Sequence, residues 1–245
     1  MNLLLTVSGA VLPSILLLWY FYKKDLNPEP VKVLRGTFLR GVMIVFPVLV
    51  LAQFLENFAP QQAGPLVGGF FNAFFLAAIP EELFKYLVIV KYSAADPAFD
   101  EPMDGIVYGA TASLGFATLE NIMYVADGGL GAAIIRAITA VPSHACLGAI
   151  IGYYVGQARF NMSHTKPIWW GLWIAMLLHG LYDFPLMVMN QAAKLAEQGD
   201  LSAIESMPGG LLLLLFVGVI VVEFVWTVKV VRKLRREQLS LSKAS

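Results

Sequence analysis

Apolar residues run along this chain in blocks about as long as a bilayer is thick, with polar residues gathered between them. A membrane-crossing helix needs roughly 20 apolar residues. Runs of that order occur at 3–22, 37–56, 66–90, 105–125, 131–157, 168–190 and 209–231. The pattern predicts an all-α polytopic membrane protein with seven transmembrane helices joined by short connections. A single helical membrane domain is expected over 1–232, followed by a basic cytoplasmic tail over 233–245. The first run, "LLLTVSGAVLPSILLLWYFYKK", carries its lysines after the apolar stretch and has no basic residue before it. That order marks a first span rather than a cleaved signal peptide.

Charge fixes a direction for these spans. With the N-terminus outside, only Arg136 and Lys194 of the 17 Lys and Arg fall in outer segments, and Lys85 falls within a span. All the others lie inside, as the positive-inside rule requires, and the C-terminus is cytoplasmic. The predicted location is a plasma membrane. Composition agrees: 58% of residues are hydrophobic and 14% charged, with a mean hydropathy of +0.70. Soluble domains are nearer 45–50% and about 25%. Net charge is zero and no basic cluster alternates with aromatics, so no nucleic-acid partner is expected. The single cysteine, Cys146, excludes an intramolecular disulfide and a Cys-rich metal site. "GGF" at 68–70 and "GGLG" at 128–131 read as packing and turn segments, and neither nucleotide nor haem is expected. His164 and the "NMS" at Asn161 belong to a solvated inner loop.

Against this apolar background a few ionisable residues lie at membrane depth: Glu81, Glu82 and Lys85 in the third span, Glu120 in the fourth, His144 in the fifth, His179 and Asp183 in the sixth. A charge there costs at least about 2.5–3.5 kcal/mol, and such residues mark function by default. His179 and Asp183 are four apart and share a helix face, as do Glu81 and Lys85, while Glu82 and Lys85 are three apart. Glu81 and Glu82 point about 100° apart, so they need not share a partner and are expected to have different jobs. Pro80 loosens the helix one turn before them. Carboxylates in an apolar wall can be tuned to take a proton from water. Histidines can ligate a metal or donate to an oxyanion. The set can therefore support hydrolysis, with zinc as a candidate cofactor.

Four motifs on four successive spans carry a family resemblance: "PEELFKY" (EExxK), "GFATLEN" (FxxxEN), "PSHACLGAIIGYYVG" and "LHGLYDF" (HxxxD). In order and spacing the sequence resembles the PrsW family of intramembrane proteases, over roughly residues 10 to 190. It is less similar to the related CAAX endoproteases and bacteriocin-processing proteins, which commonly show EExxxR and a histidine where Glu120 stands. The resemblance implies an intramembrane endopeptidase with its catalytic core in the third to sixth spans. Its substrates would be single-span, membrane-anchored regulators such as anti-sigma factors. It implies Glu81 or Glu82 as the base, with slight preference for Glu81, and His144 and His179 as oxyanion or metal groups. Lys85, Glu120, Asn121 and Asp183 would support them, and the candidate metal ligands are Glu120, His144, His179 and Asp183. Two other classes compete: a proton-coupled transporter using the same polar residues as a relay, and a non-catalytic scaffold that binds partner helices through small-residue faces.

Overall fold

The computed structural model describes residues 3–60, 63–160 and 168–242, and among these every regular element is helical. Asn161 and His164 lie outside the described residues. The elements are α1 (Leu3–Lys24), α2 (Val31–Met43), α3 (Val45–Glu56), α4 (Pro65–Phe71), a π-helix (Asn72–Ala78), α5 (Ile79–Lys91), a 3₁₀ turn (Ser93–Ala95), α6 (Pro102–Ile138), α7 (Ala140–Phe160), α8 (Trp169–Glu197), the short α9 (Ser202–Glu205) and α10 (Gly209–Ser242). Four stretches are long and apolar enough to cross a membrane: Val31–Glu56, Gly131–Phe160, Trp169–Glu197 and Gly209–Ser242. Large apolar side chains such as Val50, Leu211 and Leu214 lie on the exterior, more than 65% exposed. In water such a surface marks an association site, and around a membrane bundle it is the lipid face. α10 continues through the basic stretch to Ser242, with Leu234 and Gln238 buried.

α6 and α7 form the centre. Every residue from Met103 to Thr118 is buried, so this part of α6 presents no face to the exterior. Small residues make the close pairing possible: a Cβ at Gly109 would collide with the Gly148 carbonyl oxygen, and one at Gly152 with that of Gly105. Around the pair, α1, α6, α7 and α10 share a core through Phe21, Leu114, Ala145 and Val231.

Two departures from regular α-helix position the site. Gly129, with φ 66° and ψ −154°, interrupts α6 in a conformation that disfavours a side chain. The chain turns back there, so Arg136 meets Glu120, which a straight helix would hold about 24 Å away. The second is the π-helix that leads into α5, closing with a bond from the Ile79 N–H to the Phe74 carbonyl. Pro80 cannot donate to the ladder, and the wider register absorbs the missing bond immediately before Glu81 and Glu82. The loosening that Pro80 predicts is therefore a specific local structure.

Candidate active site

The third predicted span delivers its charges through α5. Glu81, Glu82 and Lys85 sit in its first two turns, all buried. Lys85 Nζ lies 3.0 Å from Glu81 Oε2 and 2.7 Å from Glu82 Oε1, as the spacing predicts. It also lies 3.0 Å from His144 Nδ1 on α7, and 4.4 Å from the centre of the Phe116 ring. The ammonium is thus held by two carboxylates, an imidazole and an aromatic face, replacing the water it lacks.

The histidines occupy facing positions. Their rings are perpendicular with centroids 5.2 Å apart. His144 Nε2 is 2.9 Å from Glu120 Oε2, and that oxygen also accepts from Arg136 Nη2 at 2.7 Å. His179 Nδ1 is 2.8 Å from Glu82 Oε1, while its Nε2 is 3.2 Å from Asp183 Oδ2 and 3.9 Å from Glu81 Oε2. Each imidazole is therefore fixed through both nitrogens. Asn121 is one step removed: its Nδ2 donates to the Ala10 carbonyl and its Oδ1 accepts from Arg136 Nε, so it anchors the arginine.

A small enclosed cavity of about 40 Å³ opens onto this network, bounded in part by Glu81, Glu120, Arg136, Ser143, His179 and Asp183. It has room for a water molecule. Glu82 does not line it and is fully buried. Despite lying about 100° apart on the helix, the two glutamates share Lys85 and His179 as partners, and they differ in that Glu81 alone of the pair lines the cavity.

Four carboxylates in this network (Glu81, Glu82, Glu120 and Asp183) face two permanent cations, Lys85 and Arg136. Protons on the imidazoles or a divalent metal would supply the missing positive charge. One ligand atom each from Glu81, Glu82, His144 and His179 converge to within 4.8 Å of one another, and Glu82 Oε2 is buried with no hydrogen-bond partner. Two imidazoles and two carboxylates match the nitrogen and oxygen donors zinc accepts, so the residues fit a metal. This convergent set shares His144 and His179 with the ligands expected from sequence. Glu120 and Asp183 stand behind the histidines, in positions that orient metal-binding imidazoles elsewhere.

Sequence reasoning missed two groups. Arg136 reads as an outer-loop charge, and only the turn at Gly129 brings it to Glu120. Glu223, in the middle of α10, is 1% exposed with neither carboxylate oxygen hydrogen-bonded, and Ser143 and Thr227 also have unpartnered hydroxyls. Its place within the 209–231 apolar run was the available signal.

A family described as PrsW family intramembrane metalloprotease matches residues 29–226. A Bacillus subtilis (strain 168) protein named Protease PrsW is 40% identical over 187 residues, covering 75% of this chain and 84% of that relative. Proteins of the same name from Geobacillus kaustophilus and Clostridioides difficile are 39% and 29% identical, covering 76% and 73% of the chain and 81% and 78% of those relatives. No solved structure matches the chain. The matched span runs from the start of α2 into α10 and takes in the whole glutamate and histidine network, and on that ground the chain belongs to the PrsW family of intramembrane metalloproteases.

Proposed function

We propose that this protein hydrolyses a peptide bond of a single-span membrane protein, with Glu81 as the base. The observation that carries the assignment is that Glu81, and not Glu82, borders the water-sized cavity beside both histidines. In this reading Glu81 takes a proton from water as the water oxygen attacks the scissile carbonyl carbon, and later passes it to the departing amine. His179, held by Glu82 and Asp183, and Arg136 face the same cavity and supply donors for the oxyanion. Glu82 holds Lys85 and His179 in place.

A metal, when bound, would be held by His144, His179 and Glu82, and it supplies a more acidic water and a polarised carbonyl. The chain is read as crossing a bacterial inner membrane seven times, with the N-terminus outside. Membrane-anchored regulators such as anti-sigma factors are the substrate class implied by the family resemblance.

The test uses purified protein in liposomes with a panel of single-span substrates. Wild type is expected to cleave, and Glu81→Gln to lose about 10²–10⁴-fold in kcat, the usual worth of a positioned base. Cleavage at the wild-type rate by Glu81→Gln sinks the assignment. Loss of cleavage on chelation and recovery on zinc addition would establish the metal requirement.

A further inference from the structure

A second convergence of carboxylates lies well away from the catalytic network. Asp25 and Glu29 come from the connection between α1 and α2, and Asp104 from the first turn of α6. Asp104 precedes Glu120 on α6 by about 24 Å of helix. All three are at least 96% buried by exposure, at 4%, 4% and 0%. One oxygen from each converges with the others to within 4.8 Å. Glu101 adds a fourth carboxylate beside them, joined to Asp25 through Gln238: its Nε2 donates to Asp25 Oδ1 and Glu101 Oε1, each at 2.6 Å.

The donors that reach this cluster are neutral. Tyr108 donates its hydroxyl to Glu29, and the backbone N–H groups of Asp100 and Glu101 donate to Asp104 Oδ2 at 2.7 Å. Asn27 contributes its N–H to Asp25 and its amide to Glu101. Among the described residues no ion pair includes Asp25, Glu29, Glu101 or Asp104. Lys24, the neighbour of Asp25, lies over the Tyr20 ring instead. Two oxygens, Asp25 Oδ2 and Asp104 Oδ1, are buried without any hydrogen-bond partner. Burial raises the carboxyls of Asp25 and Glu29 above the usual range, against the opposing bonds from Gln238 and Tyr108. Carboxylates buried this densely must either keep protons or gain a counter-charge, and among the described residues no cation of the chain pairs with them.

We propose that Asp25, Glu29 and Asp104 bind one hard divalent cation, of the Mg²⁺ or Ca²⁺ kind, at the end of the bundle remote from the catalytic cavity. An all-oxygen donor set without imidazole or thiolate selects such ions over zinc. Water completes the coordination shell, since three carboxylates fill only part of the six to eight positions these ions use. The cation ties the α1–α2 connection to the start of α6, and Gln238 extends the grip to the end of α10.

The test is calorimetric titration of metal-stripped, full-length protein in detergent with Mg²⁺ and, separately, Ca²⁺. It is carried out in a Glu81→Gln/Glu82→Gln background so that the catalytic network does not contribute. One saturable site per chain is expected for at least one of the two ions, with a rise in Tm. Asp25→Asn, Glu29→Gln and Asp104→Asn should each weaken binding about tenfold or more, since even residues that only support a metal ligand are worth 10–100-fold. Hydrogen exchange supplies a readout that needs no variant within the cluster: cation should slow exchange across residues 25–29 and 101–104. The proposal is overturned if neither ion binds, if binding is undiminished in all three variants, or if bound cation leaves exchange in both segments unchanged. The first of these results would mean that shared protons, chiefly between Glu29 and Asp104, neutralise the cluster.

Discussion

Lys85 is the residue on which the catalytic network balances. It is completely buried and bonds Glu81, Glu82 and His144 together. Lys85→Met leaves two buried carboxylates without their ammonium, a loss of about 3–5 kcal/mol. Thermal unfolding in detergent should show a fall in Tm on the order of 10 °C for a chain of this size. Adding Glu82→Gln to Lys85→Met should recover part of that fall, because it removes one of the uncompensated charges. Arg136 lines the cavity and also holds the Glu120 oxygen that it shares with His144. Arg136→Gln should lower kcat about 10–100-fold while leaving substrate KM nearly unchanged, because holding Glu120 against His144 and facing the oxyanion both act on the transition state. An equal loss confined to KM would place the arginine on the substrate instead. The difference in legibility between these two residues is physical. Lys85 lies within one helical turn of its partners, so spacing alone pairs it with the glutamates. The partner of Arg136 depends on where the chain reverses, and periodicity is silent about that. Asp25, Glu29 and Asp104 were unreadable for the same reason, since acidic residues at span ends ordinarily face water and only the packing of three segments buries them together.

At the scale of elements, the pairing of α6 with α7 sets the distance from Glu120 to His144. The pairing depends on backbone contact across glycines, so Gly152→Ala forces a methyl against the Gly105 carbonyl and pushes the helices apart. Overpacking of this kind costs about 1–3 kcal/mol, and cleavage should fall along with Tm because the same displacement stretches the Glu120–His144 bond. Leu214→Ala on the lipid face of α10, where the side chain is 71% exposed, should change stability by no more than about 0.5 kcal/mol. If both changes prove equally harmless in unfolding and cleavage assays, the glycine seam does not set the site. The helical character of the chain was readable from its apolar blocks, whereas small residues marked surfaces for close packing without saying which helices pair through them. The π-helix before α5 was readable only as a weakness at Pro80: a proline announces a missing donor, while the register that repairs it depends on the packing of the Phe-rich turn before it. Glu223 shows the opposite failure. A lone carboxylate in a strongly apolar run was easily overlooked, although its membrane depth alone marks it as costly.

For the whole molecule, the two carboxylate clusters define a direction. Glu120 and Asp104 stand about 24 Å apart along α6, so in the proposed seven-span arrangement the catalytic cavity and the proposed cation site would occupy opposite halves of a bilayer about 30 Å thick. In the proposed orientation, with the N-terminus outside, the cation site lies on the cytoplasmic side and the cavity toward the outer half. Cysteine labelling can test that orientation because the chain's own thiol, Cys146, is buried and should react slowly. Asn57, just after α3, and Ser240, near the end of α10, are both exposed. In intact cells a membrane-impermeant thiol reagent should modify Asn57→Cys, and should reach Ser240→Cys only after permeabilisation. The reverse pattern would turn the molecule over, place the catalytic cavity toward the cytoplasm, and move the expected cut in a substrate to the inner half of its span. Reaction of both positions from outside would instead remove a span from the count and separate the C-terminal helix from the inner leaflet. The orientation also sets which solution equilibrates with the cation site, so the labelling result determines whether cytoplasmic or external divalent ions would stabilise the bundle.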